Sequence, residues 1–440
     1  MEKNKIKSRD KFSSKLGFII ACIGSAVGMG NIWMFPYRVG QFGGASFLIP
    51  YFIFVILIGF TGVIGEMTLG RSMKTGPLGA FEKAFERRGL KGGKLIGMIP
   101  VLGSLAIAIG YSVVIGWILK YIFLSFTGEI ISQSSGEIFG KLAINFGSLS
   151  WHMTALIITF LVMSLGVAKG IEKINKILMP LFFCMFVFLA IKIYFLPNSG
   201  AGYNYLFQFE WKSLLNLKTW LYALGQAFFS LSLAGSGTVV YGSYLDKKSD
   251  IVNSAMNVSI FDTCAAMLAA LVVIPAVFAY GIAPTAGPGL MFVVLPMVFK
   301  SMPGGQLISI LFFVAVLFAG ITSLINLFET PIETLEHKLK LSRRSSIIII
   351  GAIAFGVGIF LEGDYLSPWM DFVSIYIIPL GALLAGIVIF WICETGFARK
   401  EAQLGREKII GAWFEPMTKY VFCGIALLVY IASLVYGDLG

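Results

Sequence analysis

Charged residues are scarce in this sequence. Asp, Glu, Lys and Arg make up 13% of its 440 residues, whereas 57% are hydrophobic and the mean hydropathy is +0.86. A soluble globular domain carries about 25% charged residues. The composition therefore excludes a soluble fold and is typical of a polytopic membrane protein, whose surroundings are the lipid bilayer.

Histidine and cysteine are also rare, with two His and five Cys in the chain. The two His stand far apart and no Cys pattern accompanies them, which argues against a His/Cys metal site. No nucleophile–base constellation is evident either, so we do not expect an enzyme. The cysteines all fall in or beside apolar stretches and are typical of small buried hydrophobic residues rather than disulfide partners. They are Cys22, Cys184, Cys264, Cys393 and Cys423.

Positive charge exceeds negative charge, with 34 Lys and Arg against 23 Asp and Glu. The basic residues lie in short loops between apolar stretches, so we expect no nucleic-acid partner. Most of them fall on the side of the N-terminus if the stretches alternate across a membrane. The sequence therefore predicts a multi-pass protein of the cell (inner) membrane with a cytoplasmic N-terminus and, after an odd number of spans, an external C-terminus.

Eleven apolar stretches are long enough to be membrane spans, although the fourth and ninth are short. A single transport domain accounts for them, with a cytoplasmic tail (1–15), a first repeat (16–196), a second repeat (219–393) and an extra helix (417–436). The predicted spans are 16–37, 45–69, 95–124, 154–168, 176–196, 219–244, 251–282, 306–337, 346–361, 369–393 and 417–436.

Small residues interrupt the first and sixth spans, at 24–31 and 225–237. Each glycine costs roughly 1 kcal/mol in a helix interior. One such stretch would be typical of closely packed helices. Two in corresponding positions of two five-span halves indicate broken helices around a binding site at the membrane midplane, and five spans per half predict an inverted repeat.

Five short motifs resemble those of the neurotransmitter:sodium symporter family, in the same order along the chain. They are GSAVGMGNIWMFPY (24–37), EMTLGR (66–71), YSVVIGW (111–117), GQAFFSLSL (225–233) and AGITS (319–323). The resemblance implies an all-α membrane protein with 11 transmembrane helices, a 5+5 inverted repeat with broken helices 1 and 6, and one extra helix. It also implies that the chain carries an amino acid with sodium, as bacterial members do.

A zwitterionic amino acid needs donors for its carboxylate and acceptors for its ammonium group, and the two ends of a broken helix offer both. Considered alone, Tyr111 would be an ordinary buried tyrosine with a satisfied hydroxyl. The resemblance implies that it binds substrate as part of a larger set. That set is Ala26, Gly28, Met29, Gly30, Ile107, Tyr111, Phe229, Ser230, Ser232, Gly235, Ser323 and Leu327.

The resemblance also implies two sodium sites built from oxygen atoms. Without it, the Thr322 and Ser323 hydroxyls would be taken to bond back to their own helix. The first site comprises the Ala26 carbonyl, Asn31, Ser230, Asp262 and the substrate carboxylate. The second comprises the carbonyls of Gly24, Val27 and Ala319 with the hydroxyls of Thr322 and Ser323.

Chloride is not expected to be required. The resemblance places the anion of animal members beside a tyrosine, a glutamine and a hydroxyl residue, which match Tyr51, Gln226 and Ser230. Where many relatives have asparagine on helix 7, this chain has Asp262. A resident carboxylate supplies the charge that chloride brings elsewhere, so Gln226 and Asp262 are expected to serve charge balance.

The gates depart from the family pattern. Met34 stands where the outer-gate arginine is usual, which leaves Asp371 in need of another partner. Arg9 is expected at the inner gate, but its usual acidic partner matches His337. Glu66 is expected to accept hydrogen bonds from the unwound backbone of helix 6.

Glu333 and Glu336 could replace that acidic partner of Arg9. Phe12 occupies the position of a usual tryptophan. Glu329, with Gln41 and Asn326, is polar near the bundle and receives no role.

Sodium-coupled amino-acid import is therefore the predicted function, with no obligate protein partner. Glycine at position 235, where relatives often carry a bulkier residue, favours an aromatic substrate with tyrosine first; the alternative is that this glycine only extends the helix break. The alternatives are a symporter for a small aliphatic amino acid and a substrate-sensing receptor on the same fold. A channel is disfavoured because no ring of filter residues or short pore loop is present.

Overall fold

The structure is a computed structural model that describes residues 12–233, 236–281 and 289–437. Within these ranges every regular element is a helix, as the composition predicts. Arg9 and Gly235, which the sequence suggests for the inner gate and the substrate pocket, lie outside the described residues.

Eleven helices in the described part correspond to the eleven predicted spans. Eight are long and apolar without a break, α1 is a bent pair, α4 is shorter, and α6 is interrupted. Their bounds are α1 Lys15–Ala26 with Gly30–Gln41, α2 Ala45–Met73, α3 Gly93–Thr127, α4 Leu149–Ser164, α5 Val167–Tyr194, α6 Leu217–Ser230 with Gly237–Ser243, α7 Ile251–Ala279, α8 Gly305–Lys338, α9 Arg343–Leu361, α10 Leu366–Ile392 and α11 Phe414–Tyr436.

The fourth predicted span was placed too late in the chain. It was expected at 154–168, but α4 ends at Ser164 and α5 begins at Val167. The reversal takes place at Gly166, whose φ of 82° suits a residue without a side chain. The apolar run continues through this turn, so hydropathy alone does not mark it.

Shorter helices connect the spans on the two ends of the bundle. On the end where α1 begins, called here the N-terminal face, are Pro77–Glu86 and Phe397–Gln403. On the opposite end, called the far face, are Glu129–Ser132, Ser135–Leu142, Gly200–Phe207, Trp211–Leu214 and Leu290–Lys300.

Helices α1 and α6 run in opposite directions through the bundle. α1 starts on the N-terminal face, where Lys74 after α2 donates from Nζ to the Leu245 carbonyl after α6 at 3.1 Å. On the far face, Ser46 at the start of α2 donates to the Glu210 carbonyl, just before α6, at 3.1 Å. Corresponding helices of the two halves are therefore inverted, as an inverted repeat requires.

Helices α3 and α8 form the centre of the bundle. Of their most apolar windows, 72% and 67% are buried, against 28% for α5 and 33% for α9. The latter two therefore present most of their apolar side chains to the bilayer. The broken helices α1 and α6 lie against this centre, and the candidate site is located where their breaks meet it.

Candidate functional site

The break in α1 is a bend of 53° between its two halves. Two N–H groups that the regular helix would use have side-chain acceptors here. The N–H of Gly28 donates to Asn31 Oδ1 at 3.0 Å, and the N–H of Met29 donates to the Tyr111 hydroxyl at 2.9 Å. The broken backbone is thus stabilised by Tyr111, which the resemblance assigns to the substrate, and by Asn31, which it assigns to sodium.

The first half of α6 ends at Ser230 and its second half begins at Gly237. Ser232 and Ser236 have φ values of 55° and 54°, a left-handed conformation that is uncommon for residues with a side chain. Such backbone persists only where the surroundings hold it in place. The Ser232 hydroxyl donates to the Ser25 carbonyl at 2.8 Å, so the two broken segments are bonded directly to each other.

A cavity of about 40 Å³ lies where these two breaks meet α3 and α8. It brings together every substrate residue expected from the sequence that falls within the described ranges. One more residue, Ile378 of α10, lines it. The complete lining is Ala26, Gly28, Met29, Gly30, Ile107, Tyr111, Phe229, Ser230, Ser232, Ser323, Leu327 and Ile378.

A larger cavity of about 430 Å³, called here the outer vestibule, lies on the far-face side of this inner cavity. The two cavities share Met29, Tyr111 and Phe229, which therefore form the wall between them. Arg38 and Asp371 both line the vestibule. Asp371 therefore lines the same cavity as Arg38, which lies one helical turn after Met34, the residue in the usual place of the outer-gate arginine.

Three oxygen-bearing side chains converge beside the inner cavity, and all are buried. Asn31 Nδ2 lies 2.7 Å from Asp262 Oδ1 and 3.0 Å from Ser230 Oγ. The Ser230 hydroxyl donates to Asp262 Oδ2 at 2.7 Å. A hard cation prefers carboxylate, amide and hydroxyl oxygens as ligands. Asp262 and Ser230 present such oxygens here, whereas Asn31 presents its amide nitrogen while its Oδ1 accepts from the Gly28 N–H. The cluster therefore fits the first expected sodium site with the Asn31 amide turned so that its oxygen faces Asp262.

Residues of the second expected sodium site lie where α1 packs against α8. A Cβ on Gly24 would lie 3.1 Å from Thr322 Cβ, and one on Gly28 would lie 3.0 Å from Ser323 Oγ. The Thr322 hydroxyl donates to the Ala319 carbonyl at 3.0 Å, as expected if it bonds back to its own helix. That bond leaves the hydroxyl lone pairs available, so the set still fits a cation held by oxygen atoms.

Glu66 and Gln226 stabilise the two broken helices. The Thr238 hydroxyl, immediately after the break in α6, donates to Glu66 Oε2. Among the described residues this donor is a side chain rather than the expected backbone N–H. Gln226 Nε2 donates to the Gly30 carbonyl at 2.9 Å, so α6 also contacts α1 beyond its break.

The glutamates suggested for the inner gate have other partners in the structure. Glu333 accepts from the Gly76 N–H at 2.9 Å and from the Thr75 hydroxyl at 3.3 Å. Glu336 lies 3.2 Å from Arg343. Arg9 lies outside the described residues, so its pairing with Glu333 or Glu336 at the inner gate stays a prediction.

A buried ion pair near the N-terminal face was not predicted from the sequence. Arg343 of α9 donates to both Glu329 oxygens, at 3.0 and 2.8 Å, and the Tyr244 hydroxyl donates to the same carboxylate at 2.7 Å. Glu329 is fully buried. An acidic residue within an apolar span was the available signal, since such a charge needs a partner.

Comparison with known proteins adds independent findings. Residues 9–143 and 138–437 match the sodium:neurotransmitter symporter family. The chain is 36% identical to the uncharacterized sodium-dependent transporter YhdH of Bacillus subtilis, covering 86% of this chain and 87% of the relative. It is 32% identical to an uncharacterized sodium-dependent transporter of Methanocaldococcus jannaschii, covering 98% and 90%.

A crystal structure supports the fold. MhsT in complex with L-phenylalanine matches with a TM-score of 0.87 and 34% identity, covering 97% of this chain and 100% of that one.

Proposed function

Because this chain belongs to the sodium:neurotransmitter symporter family, we propose that it imports an amino acid together with sodium by alternating access. The observation that carries the proposal is the meeting of three features at one point. Backbone N–H groups of a broken helix, a cluster of buried oxygen atoms and an apolar cavity all adjoin Gly28 and Asn31.

Each of the three features makes a different contribution to the binding of substrate and sodium. The Tyr111 hydroxyl accepts from Met29, so its own hydrogen is available to a substrate carboxylate. Ser230 and Asp262 place their oxygens next to the same backbone segment. Bound sodium would supply positive charge beside that carboxylate, so each would bind more tightly in the presence of the other.

Sodium-driven uptake into proteoliposomes tests the proposal. Asn31→Leu removes one side chain of the oxygen cluster and should abolish concentrative uptake even at high sodium, because a desolvated cation loses a ligand that no water replaces. The matched control is Asn257→Leu in α7, where the half-buried amide bonds only to the Asn253 carbonyl of its own helix, at 2.7 Å.

The outcomes separate the alternatives. A sodium gradient that drives uptake in the control and not in the Asn31 variant supports symport. Sodium-dependent binding without uptake in the unaltered protein indicates a substrate-sensing receptor. Normal uptake by Asn31→Leu would overturn the first sodium site.

An aromatic amino acid, with tyrosine first, is the proposed substrate. Ile107, Phe229, Leu327 and Ile378 give the inner cavity apolar walls, and MhsT is a related protein solved with L-phenylalanine. An aromatic ring needs more room than 40 Å³, so its binding requires the inner cavity to widen. Competition of unlabelled tyrosine, phenylalanine, leucine and alanine against labelled substrate tests this; a preference for alanine would favour the small-aliphatic alternative.

Chloride is not part of the proposed cycle. Two of the three residues that would bind an anion are engaged, since Ser230 donates to Asp262 at 2.7 Å and Gln226 donates to the Gly30 carbonyl at 2.9 Å. Asp262 then provides the negative charge beside sodium. Uptake should be the same in chloride and in gluconate, and stimulation by chloride in the unaltered protein contradicts this part.

We place the N-terminal face of the bundle in the cytoplasm, following the excess of basic residues there. A membrane-impermeant maleimide tests the orientation on two exposed positions, Glu137→Cys on the far face and Arg88→Cys on the N-terminal face. Glu137→Cys should react in intact cells, and Arg88→Cys only after permeabilisation. The reverse result would invert the assignment.

A further inference from the structure

His152 is a fully buried histidine near the start of α4, on the far-face side of the bundle. Its ring is enclosed by two other helices. A Cβ on Gly358 of α9 would lie 2.3 Å from its Cε1, and a Cβ on Gly116 of α3 would lie 2.7 Å from its backbone nitrogen. The imidazole therefore relies on protein atoms for its hydrogen bonds.

One side of the ring contacts α3. His152 Nε2 lies 2.9 Å from Ser112 Oγ, and that hydroxyl lies 2.7 Å from the Ile109 carbonyl. The hydroxyl has one hydrogen, and the shorter contact is to a carbonyl, which only accepts. The ring therefore donates from Nε2, which leaves Nδ1 of a neutral ring with a lone pair.

The other side of the ring faces a buried carboxylate. Glu362, after the end of α9, accepts the Ser148 N–H on Oε2 at 2.9 Å. Its Oε1 lies 3.8 Å from His152 Nδ1, and neither of these two buried atoms has a hydrogen-bond partner among the residues that the structure describes. Two lone-pair-bearing atoms that face each other in a buried space are stabilised by one proton between them.

Within the described part of the chain, Glu362 forms an ion pair with no ionisable group other than His152. Among the described residues, His152 is the one base within 4 Å of that carboxylate. α3 presents Ser112 and Gly116 to the ring, and its nearest cation, Lys120, lies over the Trp151 ring at 5.4 Å. α9 presents Gly358 and Phe355, and the next acid, Asp364, is exposed. Burial accordingly raises the pKa of Glu362.

The cluster lies directly behind the wall of the outer vestibule. Ser112 follows Tyr111, and Gly363 follows Glu362; Tyr111 and Gly363 both line the vestibule. Tyr111 also lines the inner cavity and accepts from Met29 in the broken helix. A change in the hydrogen bonding of Ser112 or Glu362 would therefore reach the substrate site through a single peptide bond.

We propose that His152, Glu362 and Ser112 form a proton-binding site in the vestibule wall, and that binding of its proton is coupled to substrate binding. The site itself does not depend on the proposed function; only its effect on substrate rests on it. Because burial raises the pKa of Glu362 above its value in the unfolded chain, the stabilisation that this carboxyl gains from its proton is present at low pH. It is lost as the pH rises and the pair releases the proton.

Nitrogen NMR of the histidine ring tests the site without substrate. The chain has two His, so His337→Gln leaves the His152 ring as the sole signal in ¹⁵N-histidine-labelled protein in liposomes. Nε2 should be protonated throughout, and Nδ1 should change from hydrogen-bonded or protonated to bare as the pH rises. A bare Nδ1 from pH 5 to pH 9, or a bare Nε2 with a protonated Nδ1, overturns the proposal.

Glu362→Gln connects the proton to the carboxylate and to substrate. Removing this partner should lower the pH at which His152 holds two protons by about 1–3 units. Substrate affinity of the unaltered site should differ by at least about fivefold between acidic and alkaline pH, the low end of coupling between sites, and this change should be absent in Glu362→Gln. The matched control is the exposed Glu137→Gln.

The two levels of the proposal fail in different ways. A titrating Nδ1 without pH-dependent affinity refutes the effect on substrate and leaves the proton site. The same pH dependence in Glu362→Gln and in the control refutes the assignment of the proton to this pair. Absence of substrate binding at every pH contradicts the proposed function, while the NMR result still decides the proton site.

Discussion

Replacing Gly28 by alanine should weaken substrate and sodium binding together. The new Cβ would lie 2.8 Å from the Tyr111 hydroxyl oxygen, 3.0 Å from Ser323 Oγ and 3.1 Å from Ser323 Cβ. Gly28 does not have a positive φ, so the backbone itself tolerates alanine. The effect therefore comes from space alone, at a point between a substrate residue and a sodium residue.

The displacement can be calculated from these contacts. Ordinary contact begins at 3.4 Å, so the Tyr111 hydroxyl would have to move by about half an ångström. Its 2.9 Å bond from the Met29 N–H would then be lengthened or lost. Overpacking of this kind costs about 1–3 kcal/mol, which corresponds to roughly 5- to 150-fold weaker binding.

Equilibrium binding of labelled substrate at several sodium concentrations measures this effect in purified protein. Gly356→Ala in α9 and Gly424→Ala in α11 are matched controls, because a Cβ at either position would meet no atom within 4 Å. Both controls should bind as the unaltered protein does. A Gly28→Ala protein with substrate affinity within about twofold of the controls would refute the packing argument, since twofold is only about 0.4 kcal/mol.

Three further changes test other parts of the molecule. Asp262→Ser should make uptake chloride-stimulated, because it removes the carboxylate that Ser230 and Asn31 now contact; a substitution series of chloride against gluconate measures this. Arg38→Gln and Asp371→Asn should each lower uptake, and the double variant should be no worse than either, because both charges line one vestibule; strictly additive losses would show that the two charges act independently. Arg343→Gln should lower the free energy of unfolding by about 3 kcal/mol, since it leaves a buried carboxylate unpaired, while the exposed neighbour Arg344→Gln should change little in the same thermal denaturation.

The position of the inner cavity could be predicted because its signal is local. Glycine and serine within an apolar span mark a helix break, and motif spacing assigns the breaks to α1 and α6. The residues expected there, such as Ile107 and Leu327, line one cavity in the described part of the chain. Ile378 was missed because an isoleucine in an apolar span looks the same whether it faces lipid or substrate.

Pairings between distant spans could not be predicted. Glu329 and Arg343 are close in sequence, but the carboxylate that faces His152 is 210 residues away, at Glu362. Which polar side chains meet depends on how the helices cross, and a single sequence contains no information on crossing. That each of these residues lies in or beside an apolar span was predictable from hydropathy, whereas its partner was not.

The way the two breaks are bonded suggests how sodium, substrate and the bundle are coupled. α6 contacts α1 on both sides of its bend, through Ser232 to the Ser25 carbonyl at 2.8 Å and through Gln226 to the Gly30 carbonyl at 2.9 Å. The intervening N–H groups are held by side chains rather than by the helix. Since these bonds join the broken helices to each other as well as to α3, a ligand that changes the angle of α1 also moves α6. The contacts to the Ser25 and Gly30 carbonyls lie on either side of the substrate-binding segment of α1. They therefore favour movement of the two broken helices as one unit.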